Sequence, residues 1–192
     1  MYKYKTEPFK HQRQSLMEGA KPHNFAYFME MGTGKTKVAI DNAAYLFQDQ
    51  KIDYVFVIAP NSVYQNWKKE IDIHCPEETN IYIWKVTKDK TFKMDVKKLT
   101  YVLMNVEALS HASGKKWLES KLQKHGMRSM IILDESTSIK NLKASRTKAI
   151  IKLGQLARYK RILTGSPITK SPLDLFSQCA FLDKKLLGYE SF

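Results

Sequence analysis

The run Glu30-Met31-Gly32-Thr33-Gly34-Lys35-Thr36 holds the residue types that grip a chain of phosphates. Glycines let the backbone curl so that successive N–H groups point at phosphate oxygens. Lys35 can set its ammonium against the β- and γ-phosphates, and Thr36 can give its hydroxyl to Mg²⁺. A helix from Thr36 onward would add the positive end of its dipole. The strict pattern G-x-x-x-x-G-K-[ST] asks for glycine where Met29 stands, so the local setting has to decide. Phe25–Met29 reads as a buried strand, and Val38-Ala39-Ile40 with Ala43-Ala44 as the apolar side of a helix. Strand–loop–helix is the setting this chemistry requires. The competing account is a glycine turn between strand and helix.

A second group lies far downstream. Met130-Ile131-Ile132-Leu133 runs into Asp134-Glu135. A buried strand ending in two acids suits Mg-dependent phosphate chemistry: one carboxylate holds the metal, usually through water, and its neighbour orients or deprotonates the attacking water. Asp134 is assigned to the metal together with Thr36, and Glu135 to the water. Lys35, Asp134 and Glu135 form the candidate catalytic set. By itself the acid pair would be two surface residues at a strand end; behind a phosphate loop it becomes a candidate site. A third group, Leu163-Thr164-Gly165-Ser166-Pro167, ends another short apolar strand. Its hydroxyls can reach the acids and sense a γ-phosphate. A plain turn explains it equally well on spacing alone, because Gly, Ser and Pro are turn formers.

The elements that must position these groups are visible as alternation. Strand-like runs recur at Phe25–Met29, Tyr54–Ala59, Ile81–Val86, Tyr101–Met104, Met130–Leu133 and Arg161–Leu163. Helix-like segments fall at Pro8–Gly19, Lys35–Phe47, Val63–His74, Lys115–His125, Leu142–Leu156 and Pro172–Leu182. Continuous apolar strands alternating with amphipathic helices predict an α/β domain with a mostly parallel sheet and helices on both faces. Residues 87–99 are polar and Lys-rich and read as a surface excursion.

Composition bounds the rest. At 192 residues and 43% apolar content the chain can bury one well-packed domain. No apolar run approaches the ~20 residues of a membrane span. Met1-Tyr2-Lys3-Tyr4-Lys5 lacks the apolar stretch of a signal peptide. Cys75 and Cys179 form neither a metal-ligand spacing nor a disulfide framework. A reducing, intracellular setting is expected, not a secreted one. The net charge of +13 favours an anionic partner, nucleic acid first. Between Glu135 and Asp174 there is no acid, while Lys140, Lys143, Arg146, Lys148, Lys152, Arg158, Lys160, Arg161 and Lys170 intervene. This stretch is either a solvated basic face or a surface that tracks phosphates.

Together these groups resemble the first RecA-like domain of superfamily-two helicases, in the Swi/Snf-type branch, from about Phe9 to Phe192. Phe9-Lys10-His11-Gln12 looks like that family's adenine-reading motif, with Gln12 as the glutamine. The phosphate loop is similar to its E-M-G-x-G-K-T, which also lacks the first glycine, so Met29 fits. The resemblance implies ATP binding by Gln12, Met31, Gly32, Thr33, Gly34, Lys35 and Thr36, with ATP and Mg²⁺ as cofactors. Ile58–Ser62 with Trp67-Lys68-Lys69-Glu70 resembles motif Ia, and Tyr101–Leu109 sits where a further strand-contacting segment lies. Asp134–Asn141 resembles the D-E-x-H-x-x-K-N run and Leu163–Ile168 the L-T-G-T-P-I coupling motif, followed by the leucine-rich helix at Leu173–Leu182. The implied nucleic-acid contacts are Pro60, Asn61, Ser62, Trp67, Lys140 and Asn141. The implied coupling residues are Thr137, Thr164, Gly165 and Ser166.

There are three departures. Thr137 replaces the histidine that links the acids to the coupling motif, Ser166 replaces threonine, and the family's second RecA-like domain with its arginine finger is missing. Such fingers are worth ~10³–10⁵ in rate in GTPases, so this lobe alone is expected to hydrolyse ATP poorly. A second lobe, from the same protein or another chain, is the expected protein partner, and duplex DNA the expected nucleic acid. The expected activity is an ATP-driven DNA translocase, with no membrane partner. Its compactness suggests the cytoplasm of a bacterial or phage-infected cell, or the nucleoid. The alternatives are a strand-separating DNA or RNA helicase, a P-loop nucleotide kinase, or a nucleic-acid-binding module with a degenerate ATP site.

Overall fold

Strands that are apolar at every position have no side to give to water, and they need cover on both faces. The computed structural model describes residues 2–61, 63–86, 97–168, 171–186 and 188. Among them the chain runs α1 (Lys10–Gly19), β1 (Asn24–Phe28), α2 (Lys35–Gln48), β2 (Tyr54–Ala59), α3 (Tyr64–His74), β3 (Thr79–Ile83), β4 (Leu99–Asn105), α4 (Ala112–His125), β5 (Ser129–Asp134), α5 (Ser145–Gly154), β6 (Tyr159–Thr164) and α6 (Asp174–Leu182). The strands form one sheet in the order β1-β6-β5-β2-β4-β3, and every pairing is parallel.

Alternate residues of the central strands feed two cores. Val55, Val57 and Ala59 of β2 face α1, α2 and α3, with Leu16, Val38, Ile40, Trp67 and Ile71 against them. Tyr54, Phe56 and Ile58 face the opposite way, onto Trp117, Leu118, Ile150, Leu153 and Phe181 of α4, α5 and α6. This is the α/β arrangement with helices on both faces that the alternation predicts. All six β2 residues are buried.

Element limits shift where local bonds compete. The run Ile81–Val86 overshoots β3, because pairing of Thr79–Ile83 with Leu99–Leu103 sets its limits and leaves Val86 exposed. Helix α5 starts at Ser145, not Leu142. Asn141 uses its side-chain oxygen to accept from the Lys143 N–H and its carbonyl to accept from the Ala144 N–H, which holds that stretch in a turn. Helix α4 starts three residues earlier than Lys115. Most of the expected excursion, residues 87–96, lies outside the described residues.

One charge holds the sheet's far end to the first helix. Arg161 of β6 is fully buried, and its neighbours are neutral acceptors. Its Nε donates to Asn42 Oδ1 at 2.7 Å. Its two terminal nitrogens donate to the carbonyls of His23, Lys160, Gly19 and Pro22 at 2.8–2.9 Å. Gly19 ends α1, where the helix dipole is negative and suits a cation. Burial pulls the guanidinium below its usual pKa, and the full set of bonds offsets the desolvation. Arg161→Met should remove about 3 kcal/mol or more of stability, because buried carbonyls lose their donors. Urea unfolding of the chain measures this.

Candidate active site

A glycine-rich turn becomes a cradle only if its backbone takes values closed to other residues. Gly32 and Gly34 have φ of 78° and 82°, in the left-handed region. Gly34 is the N-cap of α2, so Lys35 and Thr36 occupy the helix's first turn, where amide donors lack intrahelical partners. A Cβ on Gly34 would collide with the Gln12 side-chain amide. Gln12 itself is fixed at both ends. Its Oε1 accepts from the Phe9 N–H at 3.0 Å, and its Nε2 donates to the Thr33 carbonyl at 3.0 Å. His11 Nε2 lies 3.0 Å from the same carbonyl. The loop is also tied internally: Thr33 Oγ1 donates to the Glu30 carbonyl at 2.7 Å and Lys35 Nζ to the same oxygen at 2.9 Å. Met31 projects from the loop and is 84% exposed.

Parallel pairing brings the other groups alongside. Phe28 pairs with Thr164 and Leu163 with Asp134, so β1, β6 and β5 end almost level. The Met29 N–H donates to the Thr164 carbonyl at 3.2 Å. Gly165 passes so close to the phosphate loop that a Cβ there would stand 3.3 Å from both the Met29 carbonyl and the Met31 nitrogen. Thr164 is buried, and its Oγ1 accepts from the Ser166 N–H at 3.2 Å, closing the turn.

Asp134 sits on the α1–α3 side of the sheet, 5% exposed. Trp67 Nε1 donates to its Oδ2 at 2.7 Å, and the Glu135 N–H donates to its Oδ1 at 2.9 Å. Burial pushes the Asp134 carboxyl above its ordinary range and the Glu135 charge adds to this, while the two donors and the nearby Lys35 charge oppose it. Glu135 has φ of 48°, left-handed for a residue with a side chain. Such strain clusters at functional sites and costs of order 1–3 kcal/mol.

Trp67 corrects the sequence expectation. The resemblance puts it at the nucleic-acid surface, yet it is fully buried. Trp67 and Ile71, one helical turn apart, form the inner side of α3, and Lys68, Lys69 and Asp72 face out. Its indole holds the Asp134 carboxylate. Pro60, Asn61, Lys140 and Asn141 lie at or near the surface, on the loops after β2 and β5. Ser62 lies outside the described residues. Thr137 is half-buried, and among the described residues its hydroxyl has no hydrogen-bond partner. The bonds run through its neighbour: Ser136 Oγ donates to Gln178 Oε1 at 2.5 Å, and Gln178 Nε2 donates to the Pro167 carbonyl at 2.7 Å. Sequence reasoning missed Gln178. The available signal was a polar residue within the apolar run Leu175–Leu182.

The donor set fits a hard cation. A threonine hydroxyl and a carboxylate are oxygen ligands of the kind Mg²⁺ takes beside phosphates. Among the described residues no three His, Cys, Asp or Glu side chains cluster to hold a resident metal. No described helix is long and apolar enough to cross a membrane.

A parallel α/β sheet with this loop, these acids and this turn at one edge defines the RecA-like P-loop class. The chain belongs to the SNF2-related domain family, whose sequence profile matches residues 17–192. It is 32% identical over 158 residues, 82% of this chain, to the SWI/SNF-related matrix-associated actin-dependent regulator of chromatin subfamily A-like protein 1 homolog of Caenorhabditis elegans, and spans 21% of that protein. It is 31% identical over 164 residues, 80% of this chain, to the chromatin-remodeling ATPase INO80 of Debaryomyces hansenii, and spans 11% of it. Among solved structures, the Sulfolobus solfataricus SWI2/SNF2 ATPase core in complex with dsDNA superposes with a TM-score of 0.76 at 23% identity. That match covers 98% of this chain and 38% of the other, and it establishes the fold.

Trp67→Phe should cost about 1–3 kcal/mol, the usual loss when a buried acceptor is orphaned. The indole bond favours the ionised carboxyl, so its contribution is full at neutral pH and fades as acid protonates Asp134. The loss should therefore shrink between pH 7 and pH 4, measured by urea unfolding at both values.

Proposed function

We propose that this chain is the ATP-binding lobe of a nucleic-acid-dependent ATPase that moves along duplex DNA. One observation carries the chemistry. The amides at the start of α2, Lys35, and the acids Asp134 and Glu135 meet at one edge of the sheet, with Lys35 close enough for its charge to act on Asp134. The helix start and the ammonium bind the β- and γ-phosphates, and Gln12 braces the loop beside the base. Thr36 and Asp134 would hold Mg²⁺ arriving with ATP, which supplies charge neutralisation on the phosphates. Glu135 accepts the proton of the attacking water. Asp134 and Glu135 are assigned to different atoms, the metal and the water.

Membership of the SNF2-related domain family supports duplex DNA as the partner, as does the dsDNA bound by the structural relative. Pro60, Asn61, Lys140 and Asn141 are the proposed contacts within this lobe, and the net charge of +13 agrees with an anionic track. A second RecA-like lobe, from the same protein or another chain, completes the cleft with an arginine. The setting we propose is intracellular and reducing, in the cytoplasm or with the nucleoid, and the two cysteines, which form no disulfide, agree with it. The curated relatives named above come from a nematode and a yeast, and they lend no particular support to a bacterial or phage host.

ATP hydrolysis by this chain, with and without duplex DNA and with Lys35→Ala as the blank, tests the proposal. The chain should bind ATP and the blank should not. Turnover should be low until a second lobe is supplied, and DNA should then stimulate it. In that two-lobed form Glu135→Gln should keep ATP binding and lose about a hundredfold or more in rate, the usual contribution of a general base. Unchanged turnover would remove Glu135 from its role.

A further inference from the structure

We propose that the buried Ser136–Gln178 pair is the link through which the two acids report the γ-phosphate to the turn after β6. The inference rests on the ATP reading and names how that site is read out. Ser136 and Gln178 are both fully buried, although one follows Glu135 and the other sits in the middle of α6. Gln178 uses its whole side chain. The Pro167 and Asp174 carbonyls, at 2.7 and 2.9 Å, can only accept, so they fix the amide nitrogen. The amide oxygen must then face Ser136, whose hydroxyl donates to it at 2.5 Å. Neither side chain of the pair can turn away without stranding a buried group.

The pair spans the two halves of the site. On one side, the Ser138 N–H donates to the Glu135 carbonyl at 2.9 Å, so the turn Ser136–Ile139 is built directly onto the strained acid. A shift of Glu135 toward a γ-phosphate and its water moves Ser136. On the other side, Pro167 ends the turn Thr164–Pro167, whose Gly165 lies against the phosphate loop. The turn is thus held by the phosphate loop through Gly165 and by the acids through Gln178. Thr137, the residue in line for this task by sequence, is bypassed. Ser136 and Gln178 are positioning residues, since neither is placed to touch nucleotide.

The test is hydrogen exchange of the chain with Mg-ADP and with the slowly hydrolysed Mg-ATPγS, preceded by calorimetric binding of both. The variants are the double substitution Ser136→Ala with Gln178→Met and the single Ser136→Ala. The double variant removes both partners of the Ser136–Gln178 bond but leaves the Pro167 carbonyl without its donor, so its thermal unfolding is measured first. Ser136→Ala leaves Gln178 bound to Pro167 and Asp174, and it serves if the double variant does not fold. In the wild type, amides of residues 164–168 should exchange more slowly with ATPγS than with ADP, by roughly tenfold. Both variants should keep ADP affinity and lose that difference. If a variant binds both nucleotides and keeps the difference, or if the wild type binds both and shows none, the link is overturned while the ATP reading stands. If the wild type binds neither nucleotide better than Lys35→Ala, the ATP reading fails and the link falls with it.

Discussion

Three strands that end level in parallel register decide what this domain can do. β1, β6 and β5 are far apart in sequence, yet pairing of Phe28 with Thr164 and of Leu163 with Asp134 sets their carboxyl ends side by side. A parallel sheet gives every strand end at one edge the same polarity, so the loops leaving those ends face a common space. The phosphate loop, the acid pair and the hydroxyl turn are those loops. Crossovers through helices put the strands in that order, and the two cores hold the helices in place.

Buried polar groups then fix the loops to one another. Gln12 holds Thr33, Trp67 holds Asp134, and Gln178 joins Ser136 to Pro167. Each is buried, and each directs its donor at a specific acceptor. In a low-dielectric interior such bonds favour one geometry over nearby ones, because any alternative leaves a group unpaired. The α1–α3 face therefore reaches Asp134 through Trp67, and the α4–α6 face reaches Ser136, two residues on, through Gln178. The site is gripped from both sides of the sheet.

Much of this was legible in the sequence. The central strands announced themselves as apolar runs, β2 at every position, and the glycines of the phosphate loop did so by their spacing ahead of Lys35. Asp134 and Glu135 were found by following a buried strand to its end. What stayed hidden was side-chain direction. Trp67 reads as a surface contact in a motif, and only the helical phase of α3, with Ile71 one turn on, turns it inward. Gln178 looks like an imperfection in an apolar helix until its partners are known. Thr137 drew attention by position in a pattern, whereas the bonds belong to Ser136. Linear spacing locates a loop, but the acceptors across the sheet decide which of its residues is used.

The left-handed backbone at Glu135 sets stability against use. Glycine would adopt that conformation without strain, and on fold alone it would be the better residue there. Selection or engineering for heat resistance by itself would then drift toward deleting the carboxylate proposed above to handle water. A thermostable variant of this domain should be inspected at that position first, because relief of strain there removes the carboxylate assigned to water.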